Sequence, residues 1–216
     1  MELTYREQFE KKLQKAINKV FKDAIPSDPA KLRRMPGWKA IRKGIIEATE
    51  KTINQIQTDA IRGMYSAYGD GPAPADLKGN ARARAEALAD DLIAVNKRRW
   101  KASGPRRSQE DVDKWWAKWF GSERAQLIAQ TETTIAHQAG EDAAWSRMEA
   151  DGVATLEGYW RCERNACEFC LLVKDMPSKK WRKVYPAGPP SPHPSCQCWI
   201  EHKRKEVKSR KKKRAI

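Results

Sequence analysis

The sequence contains no run approaching the roughly 18 consecutive apolar residues of a membrane-spanning helix. Its first dozen residues, Met1 to Lys12, are charged from the start and hold no apolar leader core. These absences argue against an embedded or a secreted chain. The expectation is a soluble protein that folds in a reducing cytoplasm, with no membrane partner. Histidine is scarce, three in 216 residues, and cysteine is missing from the first 161. The five cysteines are an odd number, so any disulfide scheme leaves one unpaired, and disulfides would also need an oxidising compartment. No internal repeat is visible, and low complexity is confined to the C-terminal end.

All five cysteines fall within the 37 residues from Cys162 to Cys198. Cys167 and Cys170 form a C-x2-C pair. His193, Cys196 and Cys198 form an H-x2-C-x-C cluster beyond a Pro- and Lys-rich loop. Thiolate and imidazole are the donors zinc prefers in closed tetrahedral sites, and a two-residue gap lets both sulfurs reach one ion. The reading is one structural Zn2+ per chain, held by Cys167, Cys170, His193 and either Cys196 or Cys198. Cys162 lies outside both tight clusters and reads as a spare buried thiol. Reduced structural thiols are the competing reading. A redox pair fits less well, because no β-α-β pattern surrounds the C-x2-C.

The net charge is +15, and two short stretches hold most of it. Lys203, Arg204, Lys205, Lys208, Arg210, Lys211, Lys212, Lys213 and Arg214, set against Glu206 alone, give +8 between Lys203 and Ile216. Lys97, Arg98, Arg99, Lys101, Arg106 and Arg107 give +6 between Asn96 and Arg107, with no acid among them. Basic charge concentrated in loop-like stretches points to a polyanion, here double-stranded DNA bound without regard to sequence. The tail Lys203 to Arg214 shows no apolar periodicity and repels itself, so disorder is expected there. A solvated tail that only aids solubility is the alternative.

Hydrophobic spacing predicts a mainly α chain. Phe9, Leu13, Ile17, Val20 and Phe21 mark a helix over Leu3 to Ala24, ended by Pro26 and Pro29. Trp38, Ile41, Ile45, Ile53, Ile56, Ala60 and Met64 mark a second, over about Pro36 to Ala67. That stripe looks longer than one neighbouring helix can cover, so a helical hairpin, self-association or another partner is expected to bury the excess. Gly69 to Pro74 breaks the chain and reads as a hinge. An Ala-rich third helix should run over about Asp76 to Trp100. Ser108 to Asp111 resembles a helix N-cap, after which Trp115, Trp116, Trp119 and Phe120 share a face. They are either core or a stacking surface for bases. A helix from Gly121-Ser122 to Ala150, stopped by Gly152, should lead to strands over Val153 to Arg161 and Cys196 to His202. The expected architecture is a long-helix bundle or hairpins, a small α+β zinc-knuckle-like domain and a disordered basic tail. Its boundaries fall at residues 1–72, 73–121, 122–202 and 203–216.

The helix segment Ala125-Gln126-Leu127-Ile128-Ala129-Gln130-Thr131-Glu132-Thr133-Thr134-Ile135-Ala136-His137-Gln138-Ala139-Gly140 is followed by Trp160, the C-x2-C pair, and Pro189-Pro190 ahead of His193-Pro194-Ser195-Cys196-Gln197-Cys198. This order resembles the phage Mu F-like minor head protein family, also called phage head morphogenesis proteins, over about Ser122 to Ile200. Gln130 and Gln197 stand where that family usually has arginine, Ser191-Pro192 adds a residue before the histidine, and Asp175-Met176 replaces its usual Asp-Gly. The resemblance implies a virion protein of a tailed bacteriophage, inside the head and associated with the portal or major capsid protein. It also implies roles in head assembly and in genome packaging or ejection.

No enzymatic activity is expected. Some relatives carry fused catalytic domains, but here only 18 residues follow Cys198. Glu132 and His137 share a helix face poorly, and a buried or capping role suits both. A catalytic zinc would need three ligands, an open water position and a general base. Glu168 is the nearest carboxylate and reads as solvent-facing. The alternatives are a zinc-dependent nuclease or other hydrolase acting on DNA, and a zinc-ribbon regulator, for which no recognition helix is readable.

Overall fold

The computed structural model describes residues 3–25, 37–102, 108–162, 166–186 and 198–205. The chain is mainly helical, with 73% of these residues in helices and one small antiparallel sheet near the C-terminus. The helix α1 spans Leu3–Ala24, α2 Trp38–Tyr68, α3 Ala81–Ala102, α4 Gln109–Phe120 and α5 Ser122–Ala150. The strand β1, Leu156–Arg161, then leads to two short helices, α6 (Glu168–Leu171) and α7 (Ser178–Val184), and to β2, Trp199–Arg204. Among the described residues no helix is long and apolar enough to cross a membrane.

Local chemistry explains the helix ends. Ser108 caps α4 in a reciprocal box: its hydroxyl accepts from the Asp111 backbone N–H, and the Asp111 carboxylate accepts from the Ser108 backbone. Past the C-terminus of α5, Gly152 takes φ +70, a left-handed conformation that costs glycine little. The Val153 N–H then closes back onto the Met148 carbonyl.

One core joins α1, α2, α3, α4 and the first half of α5. Phe9, Leu13, Ile17 and Phe21 of α1 meet Ile41, Ile45, Ile53 and Ile56 of α2, Ala85 and Leu88 of α3, and Ala125 and Ala129 of α5. The α2 stripe is therefore covered within the chain. The expectation that a partner must bury its excess is corrected: three helices contribute, where the sequence pattern alone allowed for one. Val112, Trp115, Trp116 and Phe120 of α4 are buried in the same core, and Trp100 meets Trp115 edge-on. These α4 aromatics are core and cannot stack on bases from where they stand; Trp119 is half-buried at the edge. At Gly140, an added Cβ would lie 2.5 Å from the Gln57 backbone oxygen and 2.8 Å from Ala60. The absence of a side chain there lets α5 cross closely over α2.

A second cluster, from Ile61, Met64 and Tyr65 of α2 to Ala144, Trp145 and Met148 of α5 and Leu156, carries the body toward the sheet. The strands pair antiparallel from Leu156↔Arg204 to Arg161↔Trp199. β2 starts and ends later than the sequence pattern indicates. Lys203 and Arg204 belong to this strand, so the expected disordered tail does not begin at residue 203. The reason is pairing: opposite Leu156 and Glu157 even basic residues complete the ladder. α3 likewise runs through Lys97, Arg98 and Arg99, correcting the loop-like reading of that stretch, because the first strong helix breakers are Gly104-Pro105.

Candidate metal centre and nucleic-acid interface

The C-terminal module, β1 through β2, has a core of its own: Trp160, Cys170, Val173, Trp181, Cys198 and Ile200 are buried. Trp160 and Trp181 pack edge-on, and the Trp181 indole N–H donates to the Gly158 carbonyl at 3.2 Å. Cys167 is the N-cap of α6 and borders this core, while Cys170 is buried on the same short helix. Cys198 immediately precedes β2. The strand register ends at Arg161↔Trp199, so Cys162 and Cys198 lie one step beyond the last pair. The Cys162 thiol donates to the Cys170 carbonyl at 3.4 Å. Burial pushes that thiol up to about 12, with the hydrogen bond and charge of Cys198 adding to the effect.

The structure thus draws four cysteines to one end of the module, including Cys162, which spacing alone set aside. Only the strand register could have revealed this, and register is not written in ligand spacing. Among the described residues no three His, Cys, Asp or Glu side chains form a group arranged to hold an ion. Two of the five candidate ligands, His193 and Cys196, lie outside the described residues. The donors that are described, Cys167, Cys170 and Cys198, suit zinc by their chemistry.

The predicted nucleic-acid contacts divide in the same way. Lys208, Arg210, Lys211, Lys212, Lys213, Arg214, Arg106 and Arg107 lie outside the described residues. Lys203 pairs with Glu201 at 3.7 Å and Lys205 with Glu157 at 3.2 Å. Arg204 donates to the Tyr68 carbonyl and reaches Asp70. Lys205 thus ties the two strands together and Arg204 ties β2 to the body, while the Lys203 pair lies within β2. On α3, Lys97 and Arg98 are exposed, and the Arg99 guanidinium stacks 3.5 Å from the Trp119 ring centre.

Two buried polar groupings were not visible as groupings in the sequence. Arg84 grips Glu132 through two bonds of 2.6 Å, and the Glu132 side chain is 4% exposed. Burial pushes this carboxyl above its ordinary value, and the two Arg84 bonds oppose that push. Glu132 is thereby committed to holding α5 against α3. Near the sheet, His137 and Glu141 face each other on α5 at 3.6 Å, an ion-pair separation. Burial nevertheless favours the neutral form of each: it lowers His137 to about 4, helped by Arg6 and His202, and raises Glu141 to about 8, helped by Asp142. His202 on β2 is also lowered to about 4, by burial and then by Arg182, and its ring lies edge-on to Trp145. The Tyr68 hydroxyl donates to the His202 carbonyl at 2.7 Å, which ties β2 to α2.

Compared with family models, curated proteins and solved structures, the chain matches none of them.

Proposed function

We propose that the chain is a minor head protein of a tailed bacteriophage, held inside the head near the portal. It acts there in head morphogenesis and in genome packaging or ejection, through protein–protein contacts and sequence-independent DNA binding. The observation that carries this reading is the order of parts from residue 122 to 200: the α5 helix segment, Trp160, the C-x2-C pair and the HPSCQC cluster. The antiparallel pairing of β1 with β2 supports it, because it sets Cys198, at the head of β2, beside the end of β1 from which the chain runs on to the C-x2-C pair. A structural zinc would be held by Cys167, Cys170, His193 and Cys196 or Cys198. It would supply a cross-link between two loops and leave no open coordination position. Glu132, engaged with Arg84, serves packing in this reading and not chemistry.

The test is the position and stoichiometry of the protein in purified virions and procapsids of the phage that encodes it. A few copies per head, released with portal-containing fragments, is the expected result. Absence from both particles overturns the reading. Turnover of duplex DNA that is lost on chelation would replace it with the hydrolase alternative.

A further inference from the structure

The outer face of α1 carries a charge pattern that summing along the chain conceals. Lys11, Lys12, Lys15, Lys19 and Lys22 are all exposed. At 3.6 residues per turn they fall within an arc of about 100°. That arc lies opposite the face formed by Phe9, Leu13, Ile17 and Phe21, which are buried in the core. The acids are sorted away from it: Glu7 and Asp23 sit at its two edges, and Glu10 is bonded to Arg6 at 2.7 Å off the arc. Among the described residues none of the five ammonium groups has a carboxylate within ion-pair distance; Lys12 lies over the Phe9 ring. Five unneutralised positive charges are therefore held on one rigid helix face, with the opposite face anchored in the core.

We propose that this α1 face is a binding surface for the phosphate backbone of duplex DNA. The inference rests on the proposed function for the partner's identity and on the helix for the location. From Lys11 to Lys22 the axis advances about 16 Å at 1.5 Å per residue. Over that length one DNA strand presents about five phosphates, at about 3.4 Å of axis each. Five flexible lysine arms thus meet about five charges on one strand. The absence of any planar or hydrogen-bond-directing side chain among the five makes the contact electrostatic and blind to sequence.

The test compares the full chain with a quadruple variant, Lys11→Gln, Lys15→Gln, Lys19→Gln and Lys22→Gln, and with the corresponding Lys→Arg variant. Glutamine and arginine are both good helix formers at exposed positions, and far-UV circular dichroism checks that α1 is kept. Binding to two labelled duplexes of unrelated sequence is measured over a salt series. The Gln variant should bind both duplexes more weakly by about tenfold or more, with a slope of log affinity on log salt flatter by about 2 to 4. The Arg variant should restore both. A Gln variant with unchanged affinity and slope overturns the assignment. If truncation after Lys205 then abolishes binding, DNA remains the partner through the tail. A wild-type chain that binds neither duplex removes the DNA-binding reading itself. If the Gln variant loses binding to phosphatidylserine vesicles but keeps its DNA affinity, the face serves an anionic membrane surface and the proposal falls.

Discussion

The helical body and the C-terminal module handle apolar surface in opposite ways. In the body, α1, α3 and α5 together bury the long stripe of α2, and Leu127 is the one large apolar side chain of α1 through α5 left exposed among the described residues. The module's own apolar cluster holds six buried residues. It also leaves Phe169, Leu171, Leu172, Val184 and Trp199 exposed, with Leu172 at 64%. Burying a large apolar side chain contributes about 1.5–3 kcal/mol, so the body can be stable by burial alone. The module has too few such residues to offset the entropy of ordering its loops. On the proposed reading, the difference puts external support at the cysteine end of the module, where four thiols gather, and not along α2.

The largest expected effect comes from placing the same kind of change in each region. Ile53→Lys puts an unpaired charge at a fully buried site of the body. It should cost about 5 kcal/mol or more, enough to unfold a typical domain. Leu172→Ser, in the module, should change stability by about 0.5 kcal/mol or less. Urea unfolding of both variants measures the contrast. A folded Ile53→Lys protein of near wild-type stability would break it.

Next in size is the ion pair joining α3 to α5. Glu132→Ala leaves the Arg84 guanidinium partly buried without its partner and should destabilise the body by about 3–5 kcal/mol. The double variant Arg84→Met, Glu132→Leu should recover most of that loss, because the pair's desolvation cost disappears with the pair. A double variant no better than the single one would show that the bonds themselves stabilise the body.

The smallest effect is in pH, and it comes from the seam where the two regions meet. His137 and His202 are lowered to about 4 in the fold. Between that value and about 6.5 the unfolded chain therefore binds more protons at these sites, and stability is lost as pH falls. Glu141 is raised to about 8. Between about 4.5 and 8 the folded chain keeps a proton that the unfolded chain has released, and stability is lost as pH rises. The two trends cross near pH 6.5, where the melting temperature should peak. Glu141→Gln should remove the decline above that pH and leave the decline below it. A melting temperature that rises from pH 6.5 to 8 in the wild-type chain would contradict the assignment.

What the sequence makes legible is local or periodic. The span of α1 follows from Leu13, Ile17 and Phe21 at helical spacing, the start of α4 from the Ser108–Asp111 box, and the end of α5 from Gly152. What it hides depends on three-dimensional register or on angle. Arg84 and Glu132 are 48 positions apart, and no pattern within either helix announces their bond. Cys162 meets Cys198 only because the strands pair as they do. A sum along the chain hides the α1 lysines because nearby acids offset about half of the charge, although those acids stand at the edges of the face or off it. Composition alone puts Lys203 and Arg204 in a tail, while pairing with β1 makes them part of a strand.

Metal content tests the central contrast most directly. Full-length protein purified without chelator should carry one zinc per chain. Stripping the metal should abolish the near-ultraviolet signal of Trp160 and Trp181 and expose the module to protease, because a metal-held fold loses its stability with the ion. The far-ultraviolet signal of α1 to α5 should remain. Metal-free protein whose module keeps its tryptophan signal and protease resistance would contradict the account.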